Sequence, residues 1–208
     1  MSTNLMGTKA MLARVGRWSS IRQGSDRANL LVFSNRCPGR IVEKPCKIAA
    51  FDLDDTLIKT KSGRKSYMRV DGGDWVMANR NVKQRLKSLQ EEGFELVLFS
   101  NQNTIKGAHS GVAATKLKRV VEGVVDELDL ELSFLAATQK DAMRKGISIG
   151  MWDYYLNTLL GCEDAEIDYE ESFFVGNAAG RERDHGMEDK EFARQVGLDF
   201  LTETSYFL

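Results

Sequence analysis

Ile48-Ala49-Ala50-Phe51-Asp52-Leu53-Asp54-Asp55-Thr56-Leu57 is the stretch on which the fold turns. Its first four residues form an apolar run with the length and composition of a buried parallel strand. Asp52 and Asp54 follow, two residues apart, where that strand should run out into a loop. Open α/β sheets hold their ligands at the carboxyl ends of strands, so chemistry is expected there. A buried strand ending in three acids and a threonine is costly unless a cation or a reacting group uses them. The alternative is a solvated acidic turn in which Asp55 or Thr56 caps a helix.

Downstream, the same pattern recurs. Residues 79 to 92 carry Val82, Leu86 and Leu89 at helical spacing, with Gly93 as a C-terminal cap. Phe94 to Phe99 reads as a second buried strand and ends in Ser100-Asn101-Gln102. Residues 113 to 129 form a further helix, and Ser133 to Ala137 a third strand followed by a turn with Lys140, Arg144 and Lys145. Met151 to Leu160 is helical, and the six acids between Glu163 and Glu171 make a solvated connection. Ser172 to Val175 is a fourth strand, ending in Gly176-Asn177-Ala178-Ala179-Gly180-Arg181. A helix near Asp189 to Val196 and a strand at Leu198 to Leu201 close the chain. Strands alternating with helices predict an α/β fold with a mainly parallel central sheet covered on both faces. The polar strand ends would then converge on one edge as a single pocket.

The 208 residues suffice for one domain with a full core, and 42% hydrophobic with 28% charged residues fit a soluble globular protein. No stretch approaches the roughly 18 apolar residues of a membrane span. The cysteines, Cys37, Cys46 and Cys162, show no metal-site spacing and read as reduced thiols. The net charge of -1 hides an asymmetry: residues 1 to 48 hold nine Lys or Arg against Asp26 and Glu43, and the rest hold 20 basic against 28 acidic groups. Residues 1 to 45 are expected to be a basic, partly disordered extension, with Leu30 to Phe33 as a short strand, and residues 46 to 208 the globular domain. The acid-free residues 1 to 25 also have the composition of a mitochondrial transit peptide. Lys59, Lys61, Arg64, Lys65 and Arg69 make a flexible cationic loop just beyond the acidic run. It is either ordinary solvated surface or a grip on an anionic substrate.

These strand ends resemble the motifs of the haloacid dehalogenase (HAD) superfamily of phosphotransferases. Asp52-Leu53-Asp54-Asp55-Thr56 matches its Asp-x-Asp-x-Thr motif, Ser100 its second-motif hydroxyl, Lys145 its lysine, and Gly176-Asn177 with Asp184 and Asp189 its acidic fourth motif. The resemblance narrows. Phe51-Asp52-Leu53-Asp54, Lys61-Ser62-Gly63, Asp74-Trp75, Phe99-Ser100-Asn101-Gln102, Gly150-Met151-Trp152-Asp153 and Phe174 to Arg181 look like the 3′-phosphatase domain of polynucleotide kinase/phosphatase. No P-loop pattern occurs, which makes the chain similar to the stand-alone DNA 3′-phosphatases. The resemblance implies a HAD-like three-layer Rossmannoid fold without a large cap domain. It also implies a monomeric polynucleotide 3′-phosphatase that acts on DNA 3′-phosphate ends in strand-break repair, in the nucleus or alternatively the mitochondrion.

On that resemblance Asp52 is the nucleophile, forming an aspartyl-phosphate. Asp54 protonates the leaving alkoxide and later deprotonates the attacking water. Mg²⁺ is the implied cofactor, held by Asp52, the main-chain carbonyl of Asp54 and Asn177. Thr56, Ser100, Asn101 and Lys145 bind the phosphoryl oxygens, and Lys61, Arg64, Lys65 and Arg181 contact DNA. Three departures stand out. Asn177 replaces the usual Asp, which weakens metal binding unless Asp184 or Asp189 compensates. Asp55 stands where Gly is commoner, and Gly146 where Pro is usual. Asn177 leaves open a catalytically weakened DNA-end-binding homologue, and the superfamily as a whole leaves open a small-molecule phosphatase.

Overall fold

Strand β3 (Ile48–Phe51) is fully buried. A computed structural model, which describes residues 16–37, 39–106 and 109–208, sets it inside a seven-stranded sheet. Ala49 and Phe51 face one apolar cluster, and Ile48 and Ala50 the other. A strand covered on both sides has no reason to alternate apolar with polar, which is why this run is continuously apolar.

The sheet order is β1 (Arg17–Ile21), β2 (Leu30–Ser34), β7 (Ser133–Ala137), β6 (Glu95–Asn101), β3, β8 (Phe173–Gly176) and β9 (Asp199–Thr202). The five strands from β7 to β9 run parallel; β1 and β2 form an antiparallel hairpin, itself antiparallel to β7. From β3 the chain moves outward through β6 to β7, then crosses back to lay β8 on the other side of β3. The direction of winding therefore reverses between β3 and β8. That is the switch point at which open α/β sheets form their crevice, and Asp52 and Asn177 leave the sheet on either side of it.

Helices α1 (Val82–Glu91) and α2 (Val112–Leu128) cover one face through Leu86, Val120, Val121 and Val124. Helix α3 (Gly150–Tyr154), the π-helical turn Tyr155–Leu160 and helix α4 (Glu188–Val196) cover the other through Trp152, Tyr155 and Phe192. Three layers result. Between the acidic run and α1 stands only the small hairpin β4 (Ile58–Lys59) and β5 (Val76–Met77) with its loop, so among the described residues no large cap is inserted there. No helix among the described residues is long and apolar enough to cross a membrane.

The structure departs from expectation in three places. Residues 17–21, read as basic tail, are strand β1: Trp18 packs on Phe33 at 5.1 Å between ring centroids, while most of the strand stays exposed. The extension thus supplies two strands to the sheet, and residues 1–15, where disorder was expected, lie outside the described residues. The helix expected at Met151 to Leu160 widens to a π turn halfway and stops at left-handed Gly161. The cationic loop is not loose. Asp74, 6% exposed, accepts hydrogen bonds from the Ser62 amide (2.8 Å), the Ser62 hydroxyl (2.7 Å) and the Val70 amide (3.0 Å), clipping both loop ends together. Those bonds, the one from Val70 foremost, hold the Asp74 carboxyl down at about 2.

Candidate active site

At the end of β3 the Asp52 amide still donates to the Val175 carbonyl (2.9 Å), which fixes its side chain beside β8. The chain then turns sharply, with the Leu57 and Ile58 amides both donating to the Leu53 carbonyl (3.0 and 3.1 Å). Asp55 takes the left-handed conformation this turn requires (φ 63°). Glycine adopts it freely, and aspartate is among the few other residues that tolerate it. The Gly-to-Asp departure is therefore absorbed by the backbone.

A cleft of about 640 Å³ opens at the switch point, lined by Asp52, Asp54, Ser100, Lys145, Asn177 and Asp189 among others. Lys145 is 2% exposed, and its ammonium donates to Asp52 Oδ1 (2.6 Å), Asp189 Oδ1 (2.6 Å) and the Phe99 carbonyl (2.8 Å). All three donors are used, as burial of an ammonium demands. Burial works against the charge, but Asp189 and Asp52 outweigh it, so the lysine stays protonated. Asp52 shows the opposite balance. Burial pushes its carboxyl well above the usual carboxylate range; Lys145 pulls it down by less, and Asp189 pushes it further up. One lysine shared by two carboxylates neutralises one of them, so the pocket is short of positive charge around Asp52.

The supporting groups are tightly placed. Asp189, near the start of α4, also accepts from the Ala178 amide (3.0 Å). Asp54 is held on Oδ1 by Arg69 and on Oδ2 by Gln102 (2.9 Å), whose amide also reaches Ser100 Oγ (2.8 Å). Thr56, 1% exposed, donates to Asn177 Oδ1 (3.2 Å) and ties the first strand end to the last. Asn101, expected on the phosphate, instead brackets the lysine's backbone: its Oδ1 accepts from the Lys145 amide (3.1 Å) and its Nδ2 donates to the Lys145 carbonyl (3.3 Å). Gly146, next along, has φ 80°, which a proline locked near -65° cannot adopt. The loop after the lysine thus follows its own path.

Two candidate acids are separated by their hydrogen bonds. Asp189 is in the cleft. Asp184 lies outside its lining, accepting from the amides of Ala179 and Arg181 (both 3.0 Å) and from the Arg181 guanidinium. Arg181, expected on DNA, also spans to the Asn177 carbonyl (2.9 Å) and Glu203 (3.0 Å) in helix α5 (Glu203–Tyr206), so it braces the fourth motif. Of the loop cations Lys65 lines the cleft, and Lys61 and Arg64 are exposed outside it. Arg69 and Gln102 were not picked out as site residues from the sequence. Gln102 had a signal, standing two residues beyond Ser100. Arg69 had none, because a cationic loop is ordinarily solvated.

The donors available to Mg²⁺ are the Asp52 carboxylate, the Asp54 carbonyl and the Asn177 amide oxygen. Among the described residues no group of three or more His, Cys, Asp or Glu is arranged to hold a metal ion. Asp189 and Asp184 are committed to Lys145 and Arg181, and the Asp54 carboxylate to Arg69 and Gln102. One carboxylate with neutral oxygens still fits Mg²⁺, which keeps several waters and draws further ligands from substrate phosphates. It fits it weakly.

Residues 47–207 match the family model described as polynucleotide kinase 3 phosphatase. The chain is 38% identical over 167 residues to the bifunctional polynucleotide phosphatase/kinase of Schizosaccharomyces pombe, covering 80% of this chain and 39% of that protein. It is 30% identical over 177 residues to the polynucleotide 3′-phosphatase ZDP of Arabidopsis thaliana, covering 78% of this chain and 24% of that one. The chain thus spans well under half the length of either relative. A crystal structure described as a HAD-like phosphatase from Mesorhizobium loti superposes with a TM-score of 0.59 over 82% of this chain and 77% of that one, at 18% identity, and supports the fold. With its first, second, lysine and fourth motifs gathered at one sheet edge and the family model spanning 47–207, the chain belongs to the polynucleotide kinase 3 phosphatase family.

Proposed function

We propose that this chain is a Mg²⁺-dependent phosphomonoesterase that removes the 3′-phosphate from polynucleotide ends, DNA strand breaks foremost. The observation that carries the reading is the buried Lys145 bridging Asp52 and Asp189, beside Asp54, in an uncapped cleft. Asp52 attacks phosphorus, the P–O3′ bond breaks, and the phosphoryl group passes to the carboxylate as a mixed anhydride. Asp54 gives its proton to the departing 3′ oxygen, then takes one from the water that attacks the aspartyl-phosphate, releasing inorganic phosphate and free Asp52. Of the groups expected on the phosphoryl oxygens, Ser100 and Lys145 line the cleft, and Lys145 would meet the phosphate by exchanging one of its three present partners; Thr56 lies outside the lining with its hydroxyl on Asn177. Bound Mg²⁺ would supply the positive charge that Asp52 lacks, stabilising the transferring group.

Polymeric substrate is favoured over small esters because no cap domain is inserted between the acidic run and α1, and Lys65, Lys106 and Arg144 line the cleft as counter-charges for a phosphate backbone. We place its action in the nucleus as a monomer; the basic residues 1 to 25 are the reason to compare a fluorescent fusion with and without them for mitochondrial import. Asn177 favours one second reading, an end-binding protein with little turnover. Phosphate release from a 3′-phosphorylated oligonucleotide with Mg²⁺ decides between them. The proposal expects release by the parent and by Asn177→Asp but not by Asp52→Asn. Intact DNA binding with no release by either parent or Asn177→Asp would replace the enzyme with the binding protein.

A further inference from the structure

We infer that Arg69 is a positioning residue for Asp54, and that the loop from Lys59 to Asp74 is folded to deliver it. The inference rests on the reading of Asp54 as the acid that protonates the leaving oxygen. Of the five cationic residues in this loop, Lys59, Lys61, Arg64 and Lys65 are exposed and Arg69 alone is buried, at 8% exposure. Its guanidinium reaches Asp54 Oδ1 and its Nε is buried without a partner, so Asp54 is the side chain that anchors it. Asp55 and Asp74 also feel its charge, so its compensation does not rest on Asp54 alone and Asp54 is free to carry a proton.

The backbone makes the placement firm. The Arg69 amide donates to the Ser66 carbonyl (3.3 Å), and its carbonyl accepts from Lys116 Nζ on α2 (3.0 Å). The next residue, Val70, is one of the three donors clipped by Asp74. Gln102 holds the opposite oxygen of Asp54 and, through the same nitrogen, Ser100 Oγ. Asp54 is thus fixed from both sides relative to the Ser100 hydroxyl, which lines the cleft. A proton donor must lie within hydrogen-bond reach of its acceptor, and a misplacement of about 1 Å costs on the order of 10²-fold in rate.

The test compares two oligonucleotides of one sequence, one with an ordinary 3′-phosphate and one with sulfur as the bridging 3′ atom. A thiolate leaves without being protonated, so breaking P–S needs no acid, whereas every contact to DNA is the same. Arg69→Ala should lower kcat/KM on the oxygen ester about 10²-fold and on the sulfur ester far less, as Asp54→Ala should, with Arg69→Lys recovering part of the loss. Thermal unfolding of each variant confirms that folded protein is compared. Equal loss on both esters would mean that Arg69 serves DNA binding or the fold alone, and would overturn the inference. If Asp54→Ala discriminates between the esters and Arg69→Ala does not, Arg69 falls and Asp54 stands; if the parent cleaves neither ester, both fall.

Discussion

The end of β3 and the end of β8 face each other across the switch point, yet they are built to different standards. At β3 the polar groups are held in place: Asp52 on Lys145, Asp54 between Arg69 and Gln102, Thr56 on Asn177, and Asp55 in the left-handed turn. At β8 the backbone is equally well braced, through Arg181, Asp184 and Glu203, but the side chain at its tip is a neutral amide. The scaffold of the fourth motif is intact, but the charge at its tip is missing, and its two acids are paired elsewhere, Asp189 with Lys145 and Asp184 with Arg181. Architecture and electrostatics have been separated at one residue, and on the proposed reading the deficit falls on Mg²⁺ binding and leaves Asp52 untouched.

The largest effect that could break this contrast is at β3. Asp52→Asn should reduce phosphate release at least ~10³-fold, since removal of a nucleophile that works as part of a unit removes nearly all the chemistry. Initial rates on the 3′-phosphorylated oligonucleotide check this. Substantial residual turnover would mean another group attacks phosphorus.

Lys145→Ala comes next. It leaves Asp52 and Asp189 facing each other in a buried pocket without their shared cation, and breaking such a pair costs about 3–5 kcal/mol. For a chain of this size that is a fall in melting temperature of roughly 10 °C, read by thermal denaturation, along with loss of activity. A melting temperature unchanged by the substitution would show that Lys145 is not the keystone of the cleft.

Asp74 tests the support beneath β3. Its carboxyl is held at about 2 against an ordinary 3.8 by the bonds from Val70 and Ser62, so it binds fewer protons folded than unfolded. Its contribution to stability is complete above about 4 and is lost as pH falls toward 2. Asp74→Asn should therefore flatten the acid limb of the stability profile and lower activity through the slackened loop that carries Arg69. An acid limb identical to the parent's would contradict the clip.

Much of this arrangement is legible in the chain. Ile48 to Phe51 announces itself because a strand covered on both faces has no polar positions, and Asp52, Asp54 and Ser100 follow from their places at strand ends; Lys145, in the turn well past β7, is picked from Lys140 and Arg144 only by the family resemblance. Arg17 to Ile21 does not, because an edge strand buries only Trp18 and Ile21 in part and so carries little apolar signal. Asp184 and Asp189 look alike as candidate acids five residues apart; only the direction of helix α4 and the competing guanidinium of Arg181 send one into the cleft and the other out. Asn101 and Arg69 illustrate the same limit. Each has a polar group whose partner lies far along the chain, 44 residues away for Asn101 and 15 for Arg69, and such pairings are set by tertiary packing.

The most direct test of the contrast is calorimetric titration of Mg²⁺ into the parent and into Asn177→Asp, each with and without inorganic phosphate. Asn177→Asp should bind Mg²⁺ about tenfold more tightly in the absence of phosphate, a gain of ~1.4 kcal/mol, because it restores the second carboxylate. Phosphate should narrow the gap by lending the parent the negative charge it lacks. Equal affinity of the two proteins without phosphate would contradict the account, since the charge would then have to come from Asp55 on the cleft wall, or from Asp184 or Asp189 drawn out of their pairs with Arg181 and Lys145.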